Sequence, residues 1–565
     1  MRKKWIFLLF FLSVVTIAPV VEAKSMVAAA NRHASEAAAE MLRKGGSAVD
    51  AAIAAQLVLS LVEPQSSGIG GGAFLLHWAE KTTKLDTYDG RETAPAAATP
   101  DLFVKEDGTR MGFMEAVIGG RAVGVPGVIA MLAKAHEDHG VLAWKDLFSP
   151  AIALAREGFA VSPRLYGLLA RFKNLQTQKA TREYFFRETA DGIEPHPVGY
   201  VLKNPAYAET LERIARDGSK GFYGGPIAQA MVNAVQSHQS NPGLLSLNDL
   251  AAYQAKRRDP VCVAYRTYKV CGMGPPTSGG LTSLQTLELL EPFNIAAMKP
   301  GSLEAVHLIS EASRLAFADR GLYMADTDFV KVPIEGLLDK KYTVLRSALI
   351  DPAKSMGTAE PGSPPGAPER KAAADDLTRP GTSHFSIVDE RGNAVSMTTS
   401  VEGGFGSHQL VAGFLLNNQL TDFSFAPMKN EEPVANRVEP GKRPRSSMSP
   451  TLIFNQDGSL FAAIGSPGGS RIIGFVTQTI IGLIDWKLSM QAAINLPHHV
   501  NRNGKTELEQ NTALGALLPQ LQAMGHDAIT RSLNSGLHGI RITSAGMDGG
   551  ADPRREGVVI EVGGE

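Results

Sequence analysis

Residues 377–400 have the sequence LTRPGTSHFSIVDERGNAVSMTTS, and from Phe385 onward this stretch has the pattern of a β-hairpin. Phe385 and Ile387 belong to the first strand, the run 394–397 to the second, and the turn DERGN lies at 389–393. Upstream, residues 351–381 are rich in Pro, Gly, Ala and charge and contain hardly any large apolar side chain. Such a composition buries too little surface to offset its ordering entropy. We therefore predict a flexible linker at about 351–381 that runs directly into the hairpin.

Thr382 lies where this linker meets the first strand. If the chain were cut between Gly381 and Thr382, the threonine would carry a free α-amine beside its own hydroxyl. A threonine hydroxyl is a poor nucleophile without a base, and an α-amine with a reference pKa of about 7.7–8.0 can act as that base. The alternative is an ordinary threonine at the start of a strand, where threonine is common. Taken alone, the stretch favours the ordinary threonine.

Residues 1–23 have the features of a secretory signal peptide. They start with basic residues, continue with a short apolar run over 5–15, and end in Val-Glu-Ala at Ala23. The apolar run is short for a bilayer span, and no later run is long enough, so export to a periplasm or beyond is expected. The 56 basic and 57 acidic residues give a net charge of -1 with no basic tract, which disfavours nucleic-acid binding.

The two cysteines, Cys262 and Cys271, fall opposite each other if the segment between them is a hairpin that turns at 266–267. In an oxidising compartment a disulfide between them is one outcome, and two buried thiols are the other. They cannot form a zinc site by themselves.

The remaining chain alternates predicted helices with glycine-rich turns. A helix over 34–44 ends at Gly45-Gly46, and the pattern SAVD at 47–50 caps an apolar helix that reaches about residue 62. The glycine run at 67–72 follows a helix and precedes a strand, the reverse of a Rossmann loop, so a tight turn is predicted. In contrast, GSPGGS at 465–470 follows a strand and opens a helix, where exposed amides can hold an anion. Further helices are predicted near 126–136, 144–157, 205–217, 225–238, 247–254, 280–290 and 303–319. Strands grouped with helices indicate layered αβ packing.

Four motifs occur in order along the chain: TSHFS at 382–386, KRPRSSMSP at 442–450, GSPGGSR at 465–471 and DPRR at 552–555. Together they resemble the gamma-glutamyltransferase (glutathione hydrolase) family, and the resemblance extends over essentially the whole mature length. It implies an α+β fold, a four-layer αββα sandwich of the N-terminal-nucleophile hydrolase type. It also implies a single precursor that cuts itself before Thr382, giving a large subunit (24–381) and a small catalytic subunit (382–565) that form a heterodimer.

The activity implied by this resemblance is covalent catalysis. Thr382 would attack the γ-glutamyl amide of glutathione or a related compound and pass the acyl group to water or to an amino acid or dipeptide. The amides of Gly468 and Gly469 would form the oxyanion hole, and Ser400 stands where the family usually has a second threonine that supports the nucleophile. No cofactor, metal, nucleic acid or membrane partner is implied.

The substrate's α-carboxylate would be bound by an arginine fork and two hydroxyls, and its α-ammonium by an amide and a carboxylate. The residues that match these positions are Arg91, Ser446 and Ser447 for the carboxylate, and Gln419 and Asp422 for the ammonium. Glu402 departs from the family pattern, because transferases commonly have an asparagine there that helps to bind the α-amino group. A carboxylate can still accept from an ammonium, and the neutral Gln419 beside it preserves the charge balance.

Four other functions compete with this one. Glu402 also fits a cephalosporin (glutaryl) acylase, a relative that acts on a different acyl group. A non-catalytic periplasmic binding protein is disfavoured, because nucleophile, oxyanion loop and carboxylate ligands are all present together. A serine hydrolase is disfavoured by the lack of a Gly-x-Ser-x-Gly elbow. The pair His498-His499 suggests a metal site only weakly, since adjacent residues do not share a helix or strand face.

Overall fold

The computed structural model describes residues 23–368, 372–373 and 381–563. The predicted signal peptide, apart from Ala23, lies outside these residues, and so do 369–371 and 374–380 of the predicted linker. Among the helices that are described, none combines the length and the apolar character needed to cross a bilayer.

Two antiparallel sheets form the centre of the molecule. In spatial order, the strands of sheet I are Val558–Gly563, Ala23–Ala29, Thr382–Val388, Ala394–Ser400, Gly72–Ala79, Lys84–Gly90 and Lys256–Arg257. The strands of sheet II are Gly546–Ala551, His538–Thr543, Leu460–Gly465, Thr451–Phe454, Tyr268–Gly272 and Val261–Tyr265. Both sheets therefore combine strands from before and after Thr382.

Side chains of sheet I alternate between two cores. Along its strand Ala23–Ala29, Val27 and Ala29 pack in one hydrophobic cluster, and Met26 and Ala28 pack in another. The first cluster joins sheet I to helices within 32–62 and 128–235, and the second joins it to sheet II and the helices behind sheet II. The order helices, sheet, sheet, helices is the predicted four-layer αββα sandwich, and that prediction is confirmed.

The helices before Thr382 are Arg32–Arg43, Ala48–Val62, Phe113–Val117, Val128–His139, Ser149–Glu157, Pro163–Arg171, Lys179–Phe185, Pro205–Asp217, Lys220–Tyr223, Gly225–Gln236, Leu247–Ala252, Gly279–Leu290, Leu303–Tyr323, Ile334–Leu337 and Lys340–Ser347. Those after it are Ile472–Ile484, Met490–Asn495 and Leu518–Ala523. The helices predicted from the sequence are all present with shifted ends, and Pro205–Asp217 has the predicted bounds.

Local chemistry explains the first two helices. Gly45 has a φ of +79°, a left-handed conformation that ends the helix Arg32–Arg43 shortly beyond its last turn. Ser47 Oγ accepts from the amide of Asp50, and the Asp50 carboxylate accepts from the amide of Ser47 at 2.8 Å, the capping box that the sequence predicted. The glycine run that follows is the predicted turn. A Cβ on Gly71 would lie 2.1 Å from the carbonyl oxygen of Ser400, so this close approach needs glycine.

Two further expectations have definite outcomes. Cys262 and Cys271 are opposite each other on neighbouring strands and form a disulfide. Residues 351–368 contain no helix or strand, but they are not loose. The amides of Met356 and Gly362 donate to Glu311 and Asp319, and the amide of Ala359 donates to Asn503. This part of the predicted flexible linker is thus bonded to both halves of the chain, through partners that its composition does not reveal.

Candidate active site

Thr382 and Ser400 face each other across the central hairpin of sheet I. The strand register pairs them, and Thr382 Oγ1 lies 3.2 Å from Ser400 Oγ. Ser400 Oγ donates to the carbonyl oxygen of Gly381 at 2.7 Å and accepts from the amide of Glu402 at 2.9 Å. Because a serine hydroxyl has only one proton, which goes to Gly381, the Thr382 hydroxyl is the donor in its bond with Ser400. Ser400 therefore contacts both the Thr382 hydroxyl and the carbonyl that precedes Thr382 in the chain.

His384 is close in sequence but serves another purpose. Its Nδ1 lies 2.9 Å from Thr398 Oγ1, and its Nε2 lies 3.1 Å from Ser386 Oγ. Burial lowers the pKa of this imidazole well below its ordinary value. Both ring nitrogens are engaged by hydroxyls inside the sandwich. The α-amine that cleavage would free stays the predicted base for Thr382.

A cleft opens over Thr382 and gathers most of the predicted site residues. It is lined by Thr382, Ser400, Glu402, Gln419, Asp422, Ser446, Ser447, Met448, Gly469 and Ile472. Of the predicted catalytic and substrate-binding residues, only Arg91 and Gly468 are not part of this lining. Residues from four separate stretches of the sequence thus meet at one place.

Arg91 lies behind the cleft. Its side chain is completely buried, with Nη2 2.5 Å from Asp422 Oδ2 and Nε donating to the carbonyl of Pro444 at 3.1 Å. The guanidinium therefore ties Asp422 to the segment that carries Ser446 and Ser447. Beside it, burial raises the pKa of Glu92 to about 8, so this carboxyl is largely protonated at neutral pH.

Two carboxyl groups form one wall of the cleft. Glu402 lies two residues beyond the end of the strand Ala394–Ser400 and has a φ of +79°, which residues with a side chain rarely adopt. Its Oε2 accepts from Asn418 Nδ2 at 2.8 Å, while Asp422 Oδ2 accepts from Gln419 Nε2 at 3.1 Å. Carboxyl groups in the lining of a cleft favour a cation such as an ammonium group, although Asp422 is also paired with Arg91.

Ser446 and Ser447 contribute two hydroxyls to the cleft, and residues that sequence reasoning missed hold them in place. Ser447 Oγ accepts from Arg320 Nη2 at 2.8 Å, and Arg320 Nε donates to Ser278 Oγ at 2.8 Å. The Ser278 hydroxyl in turn donates to the carbonyl of Ser446 at 2.7 Å. The helix Leu303–Tyr323 also buries Glu311, Arg314 and Asp319, so its sequence pattern does not single out Arg320 as a residue of the site.

The glycine loop lies between a strand and a helix, as predicted. Gly468 and Gly469 have φ values of +142° and +62°, and a Cβ on Gly468 would lie 2.7 Å from Phe475 Cε2. A single turn at Gly469–Arg471 leads into the helix Ile472–Ile484. Glycine is thus required here by backbone conformation and by space. The use of these two amides as an oxyanion hole stays a prediction.

The histidine pair at 498–499 has a structural environment. His498 Nε2 lies 2.8 Å from Ser535 Oγ, and burial lowers its pKa to about 3. Within the described part of the chain, side chains that could group around a metal ion are His77 with Asp86 and His139, and His307 with Glu311 and His526. Neither group includes a residue that lines the cleft.

Comparison with known proteins gives a consistent result. The sequence matches the family profile described as Gamma-glutamyltranspeptidase over residues 34–562. It is 35% identical to a glutathione hydrolase proenzyme of Bacillus subtilis (strain 168), covering 95% of this chain and 91% of that protein. A glutathione hydrolase proenzyme of Escherichia coli (strain K12) is also 35% identical, with coverage of 95% and 91%. The crystal structure of a cephalosporin acylase from Bacillus halodurans superposes with a TM-score of 0.84 and 27% identity, covering 99% of this chain and 100% of the other.

Proposed function

The chain belongs to the gamma-glutamyltranspeptidase family, and on that premise we propose that it cleaves the γ-glutamyl amide of glutathione and related compounds through an acyl-Thr382 intermediate. The acyl group then passes to water or to an amino acid or dipeptide acceptor. One observation carries the proposal. Ser400 Oγ contacts both Thr382 Oγ1, at 3.2 Å, and the carbonyl oxygen of Gly381, at 2.7 Å.

Maturation uses the same atoms before the substrate does. The Thr382 hydroxyl oxygen attacks the Gly381 carbonyl carbon, the Gly381–Thr382 C–N bond breaks, and the nitrogen takes the hydroxyl proton to become the α-amine. Water then opens the resulting ester, leaving a carboxyl terminus on Gly381 and restoring the Thr382 hydroxyl. The Ser400 hydroxyl supports this step because it already donates to the oxygen on which negative charge develops. The products are the proposed large subunit (24–381) and small subunit (382–565) of one heterodimer.

Turnover repeats this chemistry on the substrate. The α-amine of Thr382 accepts the hydroxyl proton as the oxygen attacks the γ-carbonyl, and the proton is passed to the leaving amine. The amides of Gly468 and Gly469 are proposed to bind the oxyanion. Glycine in the left-handed region lets successive amides point in one direction, which supports this role.

The acidic, amide and hydroxyl side chains that line the cleft suit the α-carboxylate and α-ammonium of an amino acid. Ser446 and Ser447 are proposed to hold the α-carboxylate, and Glu402, Gln419 and Asp422 the α-ammonium. Arg91 fixes Asp422 and the segment that carries Ser446 and Ser447. Its positive charge lowers the free-energy cost of bringing the substrate's α-carboxylate to the two serines.

A second candidate is a cephalosporin (glutaryl) acylase. The superposition on a cephalosporin acylase over 99% of this chain favours it. A glutaryl group differs from a γ-glutamyl group by lacking the α-ammonium. Two acidic side chains in the cleft, Glu402 and Asp422, favour the substrate that carries the ammonium.

The test starts with the purified wild-type protein and with Thr382→Ala. The wild type should give two bands on a denaturing gel, the smaller with threonine at its N-terminus, and Thr382→Ala should stay a single chain. Mature protein should then hydrolyse glutathione and a γ-glutamyl anilide faster than the matching glutaryl anilide. A wild-type protein that stays uncut on long incubation would contradict the proposal. Faster hydrolysis of the glutaryl anilide than of the γ-glutamyl anilide would favour the acylase instead.

Export is the remaining proposal. It rests on the signal-like features of residues 1–23 and is supported by the disulfide between Cys262 and Cys271, which persists in oxidising compartments. The protein would act in a periplasm or outside the cell on small γ-glutamyl compounds.

A further inference from the structure

Arg555 contacts the main chain of the nucleophile, whereas Ser400 contacts its hydroxyl. Its Nη1 donates to the carbonyl oxygen of Thr382 at 2.9 Å, and its Nε donates to the carbonyl of Ser535 at 2.5 Å. A Cβ on Gly536 would lie 2.7 Å from Arg555 Cδ and 2.6 Å from Pro467 Cγ, so the arginine stem packs closely against the segment that borders the glycine loop. The guanidinium is thus held between Thr382 and the turn 535–536.

The turn that carries Arg555 is fixed by its own first residue. Asp552 is completely buried, and its Oδ2 accepts from the amide of Leu537 at 3.0 Å and from the Ser535 hydroxyl. Arg554 turns the other way, toward Glu509, with contacts of 2.6 and 2.8 Å. Two neighbouring arginines therefore have separate partners, and only Arg555 contacts Thr382 among the described side chains of this turn.

We propose that Arg555 is the positioning residue of the nucleophile, which fixes the Thr382 main chain and keeps the freed α-amine unprotonated so that it can act as a base. This rests on the proposed function, because it requires Thr382 to become a chain terminus. A residue's carbonyl oxygen and nitrogen are at most about 3.6 Å apart, so Arg555 Nη1 lies within about 6.5 Å of the amine. A fixed positive charge at that distance disfavours an ammonium and favours the neutral amine.

Two acidic groups around Thr382 act in the opposite direction, and one of them is paired with an arginine. Glu402 and Asp422 line the same cleft and favour an ammonium. Asp422 is paired with Arg91, however, and Glu402 accepts from Asn418. His384, on the same strand, is neutral because burial depresses its pKa.

Arg555 itself keeps its charge. Burial and the neighbouring Arg164 lower the pKa of its guanidinium to about 9, while Glu63 and Asp552 act to raise it. It therefore remains protonated at neutral pH. His538, next to this turn, is uncharged there, because burial lowers its pKa to about 4.

The amine can be titrated directly. Mature protein would be labelled with trace acetic anhydride across a pH series, and the acetylated fraction at Thr382 measured by mass spectrometry. The wild type should give an amine pKa below the reference of about 7.7–8.0. Arg555→Gln keeps a donor for the carbonyl but loses the charge, and it should raise the amine pKa by about one unit. Arg555→Lys should restore the wild-type value.

The matched control is Arg541→Gln. Arg541 is also a partly buried arginine of the small subunit that donates to a backbone carbonyl, that of Leu488, and it pairs with Asp548. Its loss should leave the amine pKa unchanged. The apparent pKa on the acid side of the kcat/KM profile for a γ-glutamyl anilide should shift in the same direction as the amine pKa from labelling in each variant.

An amine pKa that is the same in wild type and Arg555→Gln would overturn the inference. If Arg555→Gln stays uncut or unfolded, the inference is tested by the wild-type titration alone. A wild-type amine pKa at or above about 8 then overturns the role given to Arg555. The labelling needs no substrate, so its failure is distinct from that of the proposed function. A wild type that never exposes Thr382 as a terminus defeats the proposed function, whereas a cut protein with an unshifted amine defeats only this inference.

Discussion

Ser400 donates its hydroxyl proton to the carbonyl oxygen of Gly381 across 2.7 Å. The Thr382 hydroxyl lies 3.2 Å from the same Ser400 oxygen, so the Gly381 carbonyl and the Thr382 hydroxyl share one partner. The peptide bond at which we propose cleavage is thus polarised in the uncut chain. Ser400 is itself fixed by the amide of Glu402, so it needs no rearrangement before the reaction.

Removing this hydroxyl should slow self-cleavage. Ser400→Ala leaves the Gly381 carbonyl without its donor, and we expect a first-order cleavage rate roughly 10²-fold lower. Ser400→Thr keeps the hydroxyl and should cleave near the wild-type rate. The measurement is a gel time course of freshly refolded precursor, and equal rates for Ser400→Ala and wild type would contradict the role given to Ser400.

Arg320 should control donor binding through Ser447 rather than the chemical step. Arg320→Lys loses the fork that joins Ser447 to Ser278, so the Ser447 hydroxyl is held less firmly. We expect KM for a γ-glutamyl anilide to rise about 10-fold with kcat changed much less, in line with the loss of a charge-assisted hydrogen bond. Ser447→Ala should give a similar rise.

The double variant tests whether these two residues act through one contact. If Arg320 acts by holding Ser447, adding Arg320→Lys to Ser447→Ala should cost little more than either change alone. Fully additive effects on KM would show that Arg320 affects the cleft by another route.

Glu402 should separate γ-glutamyl from glutaryl substrates. Glu402→Gln is isosteric and removes one of the two negative charges that face the cleft. We expect kcat/KM for a γ-glutamyl anilide to fall about 10-fold, while the glutaryl anilide is unchanged or improved, because only the former carries the ammonium. Equal losses on both substrates would mean that Glu402 does not face the α-amino group.

The sequence predicted the strand and helix order around Thr382 because the patterns there are local. Helix Pro205–Asp217 has its predicted ends because Asn204 caps it and Pro205 occupies the first turn. The strand Gly546–Ala551 was missed, since GMDGGA has no alternation of apolar and polar residues. Its glycines reflect close packing: a Cβ on Gly549 would lie 2.6 Å from Val559 Cγ1.

The sequence predicted only those site residues that match the pattern of the family. Cleft residues within the motifs were found, but Arg320 contacts Ser447 from 127 positions away and Arg555 contacts Thr382 from 173 positions away. No local pattern encodes such pairings. The position of Arg91 behind Asp422 likewise depends on how the segment 442–445 folds over it, which its sequence does not reveal.

Lowering the pH should destabilise the protein because its buried histidines are harder to protonate in the folded state than in the unfolded state. His408 is one such histidine. Burial lowers its pKa to about 4, and a backbone hydrogen bond with Gly404 opposes this only weakly. The folded-state pKa lies below the unfolded value of about 6.5, so the unfolded chain binds the proton first as the pH falls. Stability from this residue is therefore present above about pH 6.5 and is lost progressively down to about pH 4. By pH 5 the loss is roughly 2 kcal/mol.

His408→Phe removes the titrating group, so its unfolding free energy should fall less steeply than that of the wild type between pH 6.5 and pH 4.5. Denaturant unfolding of mature protein at half-unit pH steps measures this. At pH 8 the His408 ring is neutral in both states, so any offset there reports packing at the left-handed backbone of residue 408 and serves as the baseline. Parallel pH curves for the two proteins would show that His408 titrates alike in the folded and unfolded states, contrary to its burial against Phe172.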